Sequence, residues 1–303
     1  MEKFSYSKLD TYCQCPFKYY LKYVLKNYIP AKSIALDVGI LLHKTEEQIF
    51  NFIKAGTQID YVNLKNNFIV ESAAIEMKYP EQYNSRTKSG KTYKEEMYSY
   101  LSDGIYRLEQ FHVDHPEYEF TAAEKPFEIR HDDICFTGAI DRIFRNKDTG
   151  EYLIEDIKSY HEKLPASKLK SPLQFIIYSL AVGQLYGISE KGLSCKYDMP
   201  FINLVQPTET QKNFNSGLAE LKDIFSGITS KDYHCNASPL CHFCEYCITN
   251  KAADLTYLKE HDCFCVYFSH WTREQKSFSV ENSWTGLENF PLLEKLFKKQ
   301  YLL

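Results

Sequence analysis

The chain has 303 residues, 44% hydrophobic and 25% charged, which suffices for a full-sized core and is ordinary for a globular fold. Its 24 Tyr and 20 Phe exclude a disordered chain, and a net charge of −4 excludes the broad basic field of a protein that coats nucleic acid. A locally basic surface remains compatible with that charge.

No run approaches the roughly twenty apolar residues of a membrane span, and the N-terminal MEKFSYSKLD has no basic-then-apolar leader. The expectation is a cytoplasmic protein without membrane association. Ten cysteines in such a chain point to metal or catalysis where they cluster, because a reducing compartment disfavours disulfides.

In chain order, residues 7 to 26 read as two short helices around Cys15-Pro16, with the proline opening the second. A third helix runs from Ile34 to Ala55, carrying Gly39 and His43 ahead of the apolar face Ile49, Phe50 and Ile53. Residues from about 60 to 115 read as mostly helical, with the amphipathic run YKEEMYSYLSDGIYRLEQF. The pattern then changes. FTAAEKPFEIR, ICFTGAIDRIFR and EYLIEDIKSY alternate, are rich in β-branched residues and predict three strands. SPLQFIIYSLAVGQLYG follows as a helix with Ser171 as N-cap, Pro172 at its first position and Gly187 as its stop. KYDMPFINLVQP predicts one further strand and residues 208 to 228 a helix, before the cysteine-rich segment.

The turn cluster Asn146-Lys147-Asp148-Thr149-Gly150 joins the second and third strands as a hairpin. A two-residue loop flanked by Lys147 and Gly150 sets a register that carries Asp141 directly opposite Asp156. Facing Cβ atoms in such a pair lie roughly 5 Å apart, where like charges destabilise a sheet. A divalent cation turns that repulsion into ligation. Lys158, two residues beyond Asp156, falls on the same face. A bulge at Gly150 would slip the register by one. The apolar neighbours GAI and YLI bury this hairpin, and buried acids with a lysine need a reason.

Gly138-Ala139-Ile140-Asp141 followed by Ile154-Glu155-Asp156-Ile157-Lys158 resembles the core of the PD-(D/E)XK nucleases, and more narrowly their RecB-like branch. Gly39-x-x-x-His43 upstream and Gln174-x-x-x-Tyr178 downstream are similar to that branch's flanking helical motifs, in the same order. The resemblance implies an α/β, restriction-endonuclease-like core, with a central mixed β-sheet flanked by helices, a helical N-terminal region and a Cys-rich C-terminal closure. It implies one nuclease domain over residues 1–255, with a helical insertion at about 56–116, and a tail at 256–303 of no assigned role. It also implies roles. Asp141, Asp156 and His43 hold Mg²⁺ or Mn²⁺ with help from the Ile157 carbonyl, and Lys158 orients water and stabilises developing charge. Gln174 and Tyr178 position the nucleotide or the lysine, Glu124 belongs to the metal's outer shell, and Glu155 points away. For Gln174 a plainer reading competes, a capping box with Ser171. For Tyr178 it is core packing, and for His43 an ordinary buried or surface histidine.

Cys241, Cys244 and Cys247 form a C-x-x-C-x-x-C run that resembles three ligands of an iron–sulfur ferredoxin. RecB-like nucleases of the AddB and CRISPR-associated kinds supply a fourth from an N-terminal Cys-Pro, here Cys15-Pro16, which implies a 4Fe–4S cluster as a structural staple. Cys13 and Cys235 stand as alternative ligands. A zinc site from Cys235, Cys241, Cys244 and either Cys247 or His242 is the competing reading. Cys135, Cys195, Cys263 and Cys265 read as packing thiols.

Ser89-Gly90-Lys91-Thr92 mimics the end of a P-loop, but Ser85 stands where its first glycine belongs, so it reads as a polar loop. Lys163, Lys168 and Lys170 read either as part of a phosphate-binding strip or as a solvated loop. The expected function is a metal-dependent deoxyribonuclease, an exonuclease on single strands or DNA ends. The resemblance places it in recombination or repair, phage DNA processing or CRISPR adaptation, with a helicase, recombinase or adaptation proteins as partners. The alternatives are an inactive nuclease fold retained to bind DNA or protein, and a zinc-stabilised DNA-binding protein.

Overall fold

A computed structural model describes residues 2–29, 33–236, 238, 241, 243–247, 258 and 265. The chain divides into two units, Met1–Tyr6 with Lys32–Phe225 and Ser7–Ala31 with Ser226–Leu303. Cys263, His242 and nearly all of the tail at 256–303 lie outside the described residues.

In the first unit the hairpin organises the sheet. Strands β2 (Tyr118–His131), β3 (Ile134–Asn146) and β4 (Tyr152–Ile157) follow in antiparallel succession. The turn between β3 and β4 holds four residues rather than two inside its closing pair, Asn146 N–H to the Glu151 carbonyl at 2.8 Å. Gly150 sits in it at φ +75°, a conformation that favours glycine. The anticipated register survives, because lengthening the loop symmetrically leaves Arg142 opposite Glu155 and Ile143 opposite Ile154.

A short strand missed by the sequence, β1 (Lys3–Phe4), pairs in parallel with Cys135 and Phe136, on the β3 edge that β4 uses farther along. The segment expected as one strand is two: β5 (Leu193–Met199) and β6 (Leu204–Pro207) run antiparallel. Between them Pro200–Ile202 makes a 3₁₀ turn and Asn203 takes a left-handed φ of +50°, reversing the chain. With β5 parallel to β4, the sheet is mixed.

Helices cover both faces. Helix α3 (Ile34–Lys54) packs with α4 (Tyr61–Lys78), α5 (Pro80–Tyr83), α6 (Tyr93–Ser102) and α7 (Arg107–Asp114) on the face that carries Phe120, Phe144, Leu153 and Ile157. Phe50, Phe120 and Phe144 meet there with ring centroids 4.8 to 5.6 Å apart. After a short α8 (Ala166–Lys170), helix α9 (Leu173–Tyr186) covers the other face through Phe175 on Tyr197 and Tyr178 on Phe127. It begins at Leu173, with Pro172 as its N-cap, and it ends as expected at Gly187, φ +69°. The Ser171–Gln174 capping box does not form. The Gln174 side chain turns to the sheet instead.

In the second unit, α1 (Tyr6–Gln14) and α2 (Pro16–Tyr19) flank Cys15, and a π-helical turn follows over Tyr20–Val24. The segment after α10 (Phe214–Thr229) returns to these helices: Tyr12 Oη donates to the Asp232 carbonyl at 2.8 Å, and Phe17 N–H to the His234 carbonyl at 3.0 Å.

Candidate active site

Period-two alternation sorts the charged residues of β3 and β4 onto opposite faces. Asp141, Asp156 and, just past the strand, Lys158 fall on the α9 side, whereas Arg142 and Glu155 fall on the other. Asp156 is almost fully buried and pairs with Lys158 at 2.6 Å. Gln174, in the first turn of α9, donates to Asp156 Oδ1 at 2.7 Å and accepts from Lys158 Nζ at 3.2 Å. Tyr178, one turn farther on, sits 2.9 Å from Gln174 Nε2. Burial alone would lower the Lys158 pKa, but the Asp156 carboxylate outweighs it and holds the ammonium charged. Burial, reinforced by Asp156 and Asp141, pushes the Tyr178 hydroxyl up, so it stays protonated.

Asp141 faces a second group. Its Oδ2 accepts from the Ile157 N–H at 2.7 Å and lies 3.6 Å from His43 Nδ1. His43, two turns into α3, meets Glu124 Oε1 at 3.3 Å through the same nitrogen and the Ile157 carbonyl at 3.0 Å through Nε2. Donor atoms of His43, Glu124 and Asp141 all lie within 4.8 Å of one another, a spacing able to hold a metal ion. Asp156 meets Lys158 and Gln174, close enough for its charge to act on Asp141, and Glu124, anticipated in an outer shell, is one of the three. The β2–β3 register places Glu124 across from Asp141, and its φ of +44° is a left-handed value for a non-glycine residue inside a strand. Such strain costs on the order of 1–3 kcal/mol and persists where the surroundings enforce it, commonly at functional sites.

Electrostatics fit a cation. Burial, then the neighbouring Asp156 charge, push the Asp141 carboxyl up to about 7, against the pull of His43, Lys158 and the Ile157 N–H. Burial draws the His43 pKa down, but Glu124, Asp141 and Asp156 more than offset it, so the net shift is upward. The group carries more negative charge than its own cations relieve.

On the reverse face the sequence reading missed Arg142, 1% exposed, whose guanidinium meets Glu46, Glu155 and Asp198 at 3.2, 3.1 and 2.5 Å. Arg107 completes Asp198, Lys196 completes Glu155, and Tyr100 Oη donates to Glu46. Glu155 points away from Asp141 and Asp156, as alternation required. The signal for Arg142 lay in the same register, which sets it opposite Glu155.

In the second unit, Cys15, Cys235, Cys241, Cys244, Cys247 and Cys265 line one cavity of about 40 Å³. Cys241 N–H donates to the Ser238 carbonyl, Cys244 N–H to Cys241 and Cys247 N–H to Cys244 at 2.9 to 3.1 Å. These successive three-residue turns bring the run's thiols toward one side. Cys15 caps the N-terminus of α2. A hydrogen bond from Cys235, then backbone N–H groups of Asn236, Lys18 and Phe17, lower its thiol to about 5 against burial. Burial pushes Cys241 up to about 11 and Cys244 to about 12. Cys13 is exposed. Cys265, expected as a packing thiol, stands 3.7 Å from Cys235 at the cavity. Cys135 and Cys195 are buried elsewhere, as packing thiols should be.

A family model described as the PD-(D/E)XK nuclease superfamily matches residues 3–248. No curated protein matches the chain. Among the described residues, no helix is long and apolar enough to cross a membrane.

Proposed function

Because the chain belongs to the PD-(D/E)XK nuclease superfamily, whose members are metal-dependent nucleases, we propose that it is a deoxyribonuclease of the RecB-like branch. The reading is an exonuclease acting on single strands or DNA ends, in recombination or repair, phage DNA processing or CRISPR adaptation. One observation carries it: the His43–Glu124–Asp141 trio stands beside a buried Asp156–Lys158 pair held by Gln174.

In this reading His43, Asp141 and Glu124, with Asp156 and the Ile157 carbonyl nearby, would hold Mg²⁺ or Mn²⁺, which when bound would supply Lewis acidity toward a phosphoryl oxygen and a more acidic water. Lys158 contributes a fixed positive charge where negative charge develops, and Asp156 and Gln174 keep its ammonium aimed. Tyr178 anchors Gln174 through a hydroxyl that remains protonated. Purified protein given DNA labelled at one end should shorten it in Mg²⁺ or Mn²⁺, stop in EDTA and resume when Mn²⁺ is restored in excess. Cleavage that persists in EDTA rejects the metal-dependent reading, and products released from the interior rather than the ends reject the exonuclease.

We further assign the cysteine-lined cavity to a 4Fe–4S cluster held by Cys15, Cys241, Cys244 and Cys247. A zinc ion at about 2.3 Å from each sulfur draws its ligands to about 3.8 Å of one another. Among the described residues no three cysteine sulfurs gather within 4.8 Å, although six thiols line one cavity, which suits a larger cluster. Protein purified without oxygen should be brown with equal iron and sulfide, and Cys15→Ala should lose most of both. A colourless preparation containing one zinc per chain would favour the other metal.

A further inference from the structure

The P-loop-like segment that the active site leaves unused is an ordered structure. Arg86 and Thr92 bridge in antiparallel fashion, Thr87 N–H donates to the Lys91 carbonyl at 2.7 Å, and Gly90 turns the tip at φ +84°. Its anchor is Glu96, 0% exposed on α6. One Glu96 oxygen accepts from Thr87 Oγ1 at 2.8 Å and from Ser89 Oγ at 2.6 Å; the other meets His161 Nδ1 at 2.7 Å. His161 also packs edge-on against Tyr93, with centroids 4.9 Å apart.

This arrangement separates the loop's side chains. Its hydroxyls turn inward onto a buried carboxylate, and Arg86, Lys88 and Lys91 are left exposed around Gly90. Lys88 touches Glu162 at 2.5 Å, but both side chains are largely exposed, and such a pair is weak and readily exchanged. The docking point matters. His161 lies three residues beyond Lys158, so about 11 Å of extended chain at most separates them. That is about three nucleotide steps along a duplex strand.

We propose that the Arg86–Lys91 loop, fastened through buried Glu96 to His161 on the segment leaving the Lys158 strand, grips nucleic-acid phosphates a few nucleotides from the cleaved bond. The ligand class is the phosphodiester backbone, read without regard to sequence. The inference rests on the nuclease reading for its place beside the site. A net charge of −4 makes such a local concentration of cations the means by which an acidic chain can hold a polyanion.

The test is the salt dependence of binding to a labelled 30-nucleotide single-stranded DNA, read by anisotropy in EDTA, so that cleavage does not intervene. Replacing Arg86, Lys88 and Lys91 together by Gln leaves the inward hydroxyls and Glu96 intact. The slope of log affinity against log salt should fall by about 2, with affinity at 0.1 M salt roughly a hundredfold weaker. The control removes equal charge from Lys3, Arg130 and Lys222, around the end of β2 and β3 remote from Asp141. An unchanged slope in the loop variant, an equal fall in the control or failure of the wild type to bind overturns the grip. The nuclease reading is scored separately, by wild-type cleavage in Mn²⁺. A chain that binds with the loop-dependent slope but never cleaves refutes that reading alone.

Discussion

Asp141→Ala and Lys158→Ala are each expected to lower single-turnover cleavage at least about 10³-fold, corresponding to about 4 kcal/mol or more, for different reasons. Asp141 is where two interactions meet: its Oδ2 takes the Ile157 N–H at 2.7 Å and faces His43 at 3.6 Å. Removing it takes one donor from the trio and frees the Ile157 N–H, so Mn²⁺ binding measured calorimetrically should weaken along with cleavage. Lys158 is no ligand. Its alanine variant should keep Mn²⁺ binding and DNA binding while losing turnover, because it removes charge felt where the reaction develops it. Lys158→Arg should not restore the rate, since a planar fork cannot reproduce a point charge held between Asp156 and Gln174. Undiminished cleavage by either alanine variant would sink the assignment, and lost Mn²⁺ binding in Lys158→Ala would sink the division of labour.

Several of these residues could be placed from sequence because local chemistry fixed them. Strand alternation and a symmetric turn set Asp141, Asp156 and Lys158 on one face, and lengthening the loop from two residues to four did not disturb the register. Gln174 and Tyr178 sit one turn apart on α9, so the bond between them, behind the bond from Gln174 to Asp156, follows from helix geometry once the motif is noticed. Glu124 was harder. Its place in the trio follows from the β2–β3 register, which sets it across from Asp141, whereas its left-handed backbone carries no local signal at a glutamate. The failed Ser171 cap has a local cause: Pro172 occupies the cap itself, and α9 starts one residue later. The split of β5 from β6 was marked by Pro200 and Asn203, turn residues inside an otherwise strand-like run. Glu96 and His161 are 65 residues apart and share no motif, so only the fold reveals their pairing.

Arg142→Ala is expected to destabilise the first unit by about 3–5 kcal/mol, a large share of the roughly 5–15 kcal/mol that holds a typical domain. Three carboxylates converge on that guanidinium, and Arg107 and Lys196 reach only two of them. Without it Glu46 keeps a hydrogen bond from Tyr100 but no cation in contact, in a site where burial already pushes its carboxyl up to about 6 despite Arg142. Lysine should rescue poorly, because one ammonium cannot address three carboxylates as a fork does. The pH dependence follows from the same charges. A carboxyl raised above its unfolded value near 4.5 binds more protons folded than unfolded, so stability falls as pH rises through the folded pKa. Losing the cation raises that pKa further, and the variant's deficit should be larger at pH 8 than at pH 5. Urea unfolding at both values measures it; a loss under about 1 kcal/mol at pH 8, or a larger loss at pH 5, would refute the network's role. The consequence reaches the active site through the strands, since Arg142 and Glu155 are the chain neighbours of Asp141 and Asp156. A variant that folds at pH 5 with its β3–β4 register loosened should lose cleavage more steeply than stability.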